Sequence, residues 1–186
     1  MAKRSFKKAF KVADEWATPS ILINMLVPYL EKWERDFIEK EGYRPLIWLP
    51  FDTEDSQYYK ILKTRFQVVR SHLNDDKDFF TYQPPQFDII ISNPPFSRKL
   101  DIMKRIAFEL NRPFVLLMNM MCINYQEIGN FFQFVGSEIQ FIIPDKKVSF
   151  DGNTSSFCSG YVCYKFIDHT EFVHLPHNNT KNNFSK

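Results

Sequence analysis

Glycine is scarce in this chain, with 5 copies in 186 residues. Any loop that cradles a ligand with its backbone must do so largely without glycine's conformational freedom. Cysteine is scarcer still. Cys122, Cys158 and Cys163 show no C-x-x-C spacing and no histidine partner, so reduced cytoplasmic thiols are the simplest account. Cys158 and Cys163 fall on an expected strand at an odd spacing and would face opposite sides. His72, His169, His174 and His177 form no ligand set with a cysteine or carboxylate, so no metal is expected, and His174 and His177 read as surface residues. G-x-S-x-G, Walker and kinase signatures are absent. Long apolar runs are missing too. The longest, Pro113 to Ile123, is interrupted by Asn119 and is too short for a bilayer, and the basic N-terminus lacks the apolar core of a signal peptide. The expected location is the cytoplasm.

What is present describes an ordinary globular chain, 44% hydrophobic and 25% charged, with phenylalanine used 20 times. Its length fits a single domain, expected over residues 1–176, with a polar Asn-, Lys- and Ser-rich tail at 177–186 expected to be disordered. A net charge of +2 is too small to argue for nucleic acid. Its distribution says more. Lys3, Arg4, Lys7, Lys8 and Lys11, interleaved with Phe6 and Phe10, lie in a basic arm over residues 1–13. Such an arm either contacts phosphates or is a solvated terminus.

Periodicity outlines alternating helices and strands. Thr18 suits an N-cap and Pro19 a first helical position, followed by Ile21, Leu22, Met25, Leu26, Tyr29 and Leu30 at helical spacing and a stop at Gly42. Leu46 to Leu49 reads as a buried strand, Glu54 to Phe66 as a helix, and Gln67 to Ser71 as a strand. Asn74 to Pro85 is turn-rich, with at most a brief extended piece at Asp78 to Phe80. Further helices are expected at Lys99 to Leu110 and Gln126 to Val135, with strands at Pro113 to Met118 and Ile139 to Ile143. Val148 to Phe150 and Phe157 to Phe166, around Asp151-Gly152-Asn153, predict a closing hairpin. The fold class is α/β, a mostly parallel sheet with an antiparallel edge strand from the C-terminal hairpin.

Within this pattern, Asn93-Pro94-Pro95-Phe96 ends the β-branched run Phe87-Asp88-Ile89-Ile90-Ile91-Ser92. Two prolines stop a buried parallel strand, because neither can donate to the ladder and both fix φ. They leave a rigid, carbonyl-rich turn with an amide and an aromatic ring at a strand's C-terminal edge, where open α/β sheets bind ligands. The plain alternative is a proline-terminated strand.

This turn resembles the Asp/Asn-Pro-Pro-Tyr/Phe motif of amino-group methyltransferases that use S-adenosylmethionine. N6-adenine DNA methyltransferases are the nearest class, and the small phage-borne ones match best in size. Trp16-Ala17-Thr18-Pro19 is similar to the segment that begins those enzymes, and the order of segments agrees over roughly residues 14–166. The resemblance implies a Rossmann-like methyltransferase fold, S-adenosylmethionine as cofactor and DNA as partner. Asn93 and the Pro94 carbonyl would hold the adenine amine, Pro95 would stiffen the turn, and Phe96 would stack on a flipped base. Trp16, Thr18 and Pro19 would surround the methionine end, Pro50, Phe51 and Asp52 would form the first strand-turn, and Asp78 and Phe79 would lie by the cofactor adenine.

The chain departs from the family in that first turn. Pro50-Phe51-Asp52-Thr53-Glu54-Asp55-Ser56 has no glycine, and Arg70-Ser71-His72 follows the second strand where an acidic residue is usual. Little of the chain is left for target recognition beyond Asn119 to Gly136 and the arm, so sequence-specific recognition would call for a homodimer, a protein partner or a relaxed target. Methylation of an RNA guanine amine or a protein glutamine amide, and a non-catalytic binding protein with this fold, stand as alternatives. Single- and double-stranded nucleic acid are not separated.

Overall fold

The computed structural model describes residues 17–150 and 156–176. The basic arm and the tail lie outside the described residues.

Nine strands and four helices make up the described chain. A first helix α1 (Ser20–Glu41) leads to β1 (Leu46–Leu49), α2 (Gln57–Leu62) and β2 (Gln67–Arg70). After a long connection come β3 (Ile89–Ser92), α3 (Lys99–Lys104), β4 (Phe114–Asn119), α4 (Gln126–Val135) and β5 (Ile139–Pro144). The chain closes with β6 (Val148–Ser149), β7 (Ser156–Phe157), β8 (Ser159–Tyr164) and β9 (Glu171–Val173). Seven strands form one sheet in the order β2-β1-β3-β4-β8-β5-β9, and β6 pairs with β7 separately. All seven run parallel except β8, which is antiparallel to β4 and β5. The fold is thus α/β with a mostly parallel mixed sheet.

Strand alternation splits the core into two layers. Ile47, Leu49, Ile89, Ile91, Val115 and Leu117 meet α1 and α2 through Leu22, Leu26, Leu30 and Leu62. Trp48, Ile90, Phe114, Leu116 and Met118 face the other way, onto Ile102, Ile106, Ile128 and Phe131 of α3, its continuation and α4. Both sheet faces are covered, which explains why the central strands are apolar throughout.

Several expectations need correction. The hairpin does not add an edge: β8 is inserted between β4 and β5, and β9, which no run of the sequence announced, takes the edge. Thr18 is not a cap. It is buried, and the cap position is Pro19, whose carbonyl accepts from the Leu22 N–H at 3.0 Å. α2 starts at Gln57 because Ser56 caps it, its hydroxyl accepting from the Tyr59 N–H at 3.2 Å. Asp78 to Phe80 forms a turn, closed by the Tyr82 N–H on the Asp78 carbonyl at 2.8 Å. α3 widens into a π-helical stretch over Arg105–Leu110 and ends at Asn111 in the left-handed region. At Gly42 the expected left-handed stop is present, with φ 78° and its N–H on the Ile38 carbonyl.

Candidate active site

β1 and β3 lie side by side with Ile47 opposite Ile89 and Trp48 opposite Ile90. Carried on, that register brings the turn after β1, Pro50 to Asp52, beside the turn after β3, Asn93 to Phe96. β2 lies on the far side of β1, so the connections from β1 and β3 diverge here and open the edge between them.

Ser92 is fully buried, and its hydroxyl has no hydrogen-bond partner among the described residues. Asn93 is half-buried with its carboxamide oxygen shielded from solvent, and Pro94 behind it is buried. Pro95 then opens a 3-10 turn, its carbonyl accepting from the Arg98 N–H at 3.2 Å, and leaves Phe96 half-exposed. The Lys99 ammonium donates to the Phe96 carbonyl at 3.0 Å and holds the end of the turn.

Across the edge, Pro50 and Asp52 are buried and Phe51 is half-buried. One carboxylate oxygen of Asp52 has no hydrogen-bond partner among the described residues. Burial pushes this carboxyl up to about 6, against the pull of a hydrogen bond from Ser56. A buried carboxylate with a spare oxygen suits a cationic or N–H-rich group supplied from outside.

Tyr58 ties this turn to α1. It feels the Asp52 charge, and its hydroxyl lies 3.0 Å from that of Tyr161, which donates to the Leu22 carbonyl at 3.1 Å. Tyr161 therefore accepts from Tyr58, and both phenols are raised by burial. Thr18 and Pro19 precede the α1 turn that this bond ties to β8, and the Pro19 carbonyl accepts from the Leu22 N–H.

On the opposite face, the buried Phe79 ring meets Phe51 at 5.0 Å and Trp48 at 5.5 Å, while Arg105 Nε donates to its carbonyl at 3.0 Å. The Arg98 guanidinium lies 3.6 Å from the centre of the Phe80 ring, which joins this segment to the Asn93–Phe96 turn. The Asp78 carboxylate accepts from the Phe80 N–H at 3.0 Å and so caps its own turn.

The structure therefore brings Pro50, Phe51, Asp52, Phe79 and Asn93 to Phe96 to one sheet edge, while Thr18 and Pro19 stand at the entrance of α1. Trp16, Lys3, Arg4, Lys7, Lys8 and Lys11 lie outside the described residues. At the end of β2, Arg70 pairs with Glu54 at 2.9 Å and with Asp75 at 2.6 Å, so a cation fills the position where the resemblance implies a carboxylate. The neighbouring Ser71 is buried and accepts from the Trp48 indole at 2.9 Å. A cavity of about 320 Å³ bounded by Tyr43, Pro84, Phe87, Asp88, Glu109 and Arg112 opens at the opposite edge and takes no part in this constellation.

Sequence reasoning missed Lys99, Tyr58 and Tyr161. Lys99 carried a signal, since it follows Phe96 by one helical turn and can reach back to its carbonyl. The two tyrosines carried none. Among the described residues, no group of three or more His, Cys, Asp or Glu side chains is placed to hold a metal ion, and no helix is long and apolar enough to cross a membrane. No family model matches the sequence. No curated protein matches it either.

Proposed function

We propose that this chain has a Rossmann-like methyltransferase fold and transfers a methyl group from S-adenosylmethionine to the N6 amine of adenine in DNA. The observation that carries the reading is the juxtaposition of the Asn93-Pro94-Pro95-Phe96 turn with the buried, under-bonded Asp52 at the divergence of β1 and β3.

The donor set fits the cofactor. Asp52 would offer a carboxylate oxygen to its cationic methionine end, Thr18 and Pro19 would close that end, and Phe51 with Phe79 would supply an apolar wall for the purine. When bound, the cofactor would supply an electrophilic methyl group on a sulfonium, which the amine would take with loss of a thioether and of one amine proton to water.

The protein's own task is position. An exocyclic amine is a weak nucleophile because its lone pair is delocalised into the ring. Asn93 Oδ1 and the Pro94 carbonyl accept its two N–H bonds and turn the lone pair out of the ring plane. Phe96 stacks on the base. The double proline presets the carbonyl direction, so little order is lost on binding.

Asn93→Ala tests the assignment. Methyl transfer to DNA should fall below detection, while calorimetry shows cofactor affinity within a few-fold of the parent; retained transfer rejects the role. A second reading, a non-catalytic binding protein with this architecture, is favoured by Arg70 standing in the expected carboxylate's place and by the glycine-free turn after β1. No calorimetric signal at millimolar S-adenosylmethionine would select it. Transfer assays on DNA, RNA and protein separate the adenine amine from the guanine and glutamine alternatives.

A further inference from the structure

The segment after β4 stands at the same sheet edge as Asn93 to Phe96, because β3 and β4 are parallel neighbours with Ser92 opposite Leu116. It is a firmly held 3-10 turn over Met120–Asn124. The Met120 N–H donates to the Cys158 carbonyl at 2.7 Å, and the Asn119 side chain accepts from the Met121 N–H at 3.1 Å. The Met120 thioether packs over Gly160, where an added Cβ would come within 2.8 Å of the sulfur. The Tyr125 N–H closes the turn on the Cys122 carbonyl at 3.0 Å, and the Tyr125 carbonyl begins α4 by accepting from Gly129.

This anchoring holds an apolar ring in water. Tyr125 is 56% exposed and Met121 is 65% exposed, although the backbone beneath them is tied on both sides. The Lys99 ammonium lies 5.0 Å from the Tyr125 ring centre while donating to the Phe96 carbonyl, so one cation joins the ring to the turn. Among the described residues no carboxylate forms an ion pair with Lys99, so its charge is open to an anion from outside.

We propose that Tyr125 is a stacking platform for a nucleobase adjoining the one that enters at Asn93–Phe96, with Lys99 facing the strand's phosphates. An exposed aromatic ring next to an unneutralised ammonium matches a single strand's alternation of flat bases and anionic linkages. A peptide would use the ring but not the cation in this way. The assignment rests on the reading of the chain as a nucleic-acid methyltransferase and extends it to a second aromatic contact.

The test is fluorescence anisotropy of the full-length protein with a labelled adenine-containing single-stranded DNA oligonucleotide, titrated at several salt concentrations. Tyr125→Ala should weaken binding roughly tenfold, the typical loss of one stacked base, and leave the slope of affinity against salt unchanged. Tyr125→Phe should bind like the parent. Equal affinity of Tyr125→Ala and the parent overturns the proposal, as does a parent that binds no oligonucleotide. A methyl-transfer assay of the parent keeps the two readings apart: a parent whose oligonucleotide affinity falls with Tyr125→Ala but that transfers no methyl group refutes the activity alone.

Discussion

The rings of Phe51 and Phe79 meet at a centroid distance of 5.0 Å, inclined at 50°. One belongs to the turn after β1 and the other to the connection between β2 and β3. Their contact is where two separate segments become one wall of the candidate cofactor site.

Because Phe79 is buried against Trp48 as well as Phe51, Phe79→Ala opens a cavity on the α3–α4 side of the sheet. Denaturant titration should show a loss of about 3–5 kcal/mol, with a smaller loss for Phe79→Leu. Cofactor affinity measured in the folded variant should fall with it.

Asp52 gives a prediction in pH. Its carboxyl rises from an ordinary value of 3.8 to about 6 on folding, so the folded state keeps a proton that the unfolded chain has released. The stabilising contribution is complete below pH 3.8 and is lost as pH climbs through about 6. Asp52→Asn should therefore raise stability at pH 7 by up to about 3 kcal/mol and change it little near pH 3.5. Binding of a cationic cofactor should behave oppositely in the parent, weakening as pH falls below 6. In Asp52→Asn that pH dependence should vanish together with most of the affinity, as read by calorimetry.

The tyrosine pair gives an ordering. Tyr161→Phe strands the Tyr58 hydroxyl and removes the second bond that the Leu22 carbonyl accepts beyond its place in α1, whereas Tyr58→Phe leaves the bond from Tyr161 to Leu22 in place. Thermal or chemical unfolding should show Tyr161→Phe as the costlier change, at about 1–3 kcal/mol for the stranded Tyr58 hydroxyl and about 1 kcal/mol for the lost bond to Leu22, against about 1 kcal/mol for Tyr58→Phe. Their effects should not add, since the two hydroxyls share one hydrogen bond.

Lys99 acts here as a positioning residue for the turn. Lys99→Met removes the donor from the Phe96 carbonyl and should lower kcat for methyl transfer by about tenfold while the KM for S-adenosylmethionine stays put. A fall in cofactor affinity instead of kcat would contradict this role.

Local elements were legible where local physics decides them. α4 runs over the expected Gln126–Val135, β1 over Leu46–Leu49, and α1 stops at Gly42. The turn-rich character of Asn74 to Pro85 was legible, but not the closure at Asp78, whose carboxylate and carbonyl make bonds that periodicity does not register. Nor was β9, a short half-exposed strand held by its pairing with Ile142 to Pro144. The candidate site was half visible. Asn93 to Phe96 stood out because consecutive prolines after an apolar run have few structural meanings. The supports from Lys99, Tyr58 and Tyr161 depend on contacts across the fold.

By itself the sequence determined that β3 is a buried strand and that it stops at Ser92, just before the Asn93-Pro94-Pro95 turn, since proline has no N–H to give the ladder. Tertiary structure decided the rest: which turn adjoins Asn93, that β8 is inserted rather than added at an edge, and that Asp52 is buried with an oxygen to spare. The reason is physical. Dihedral preference and periodicity act over a few residues, but desolvating a carboxylate or joining residues 22, 58 and 161 requires segments that only the complete sheet brings together.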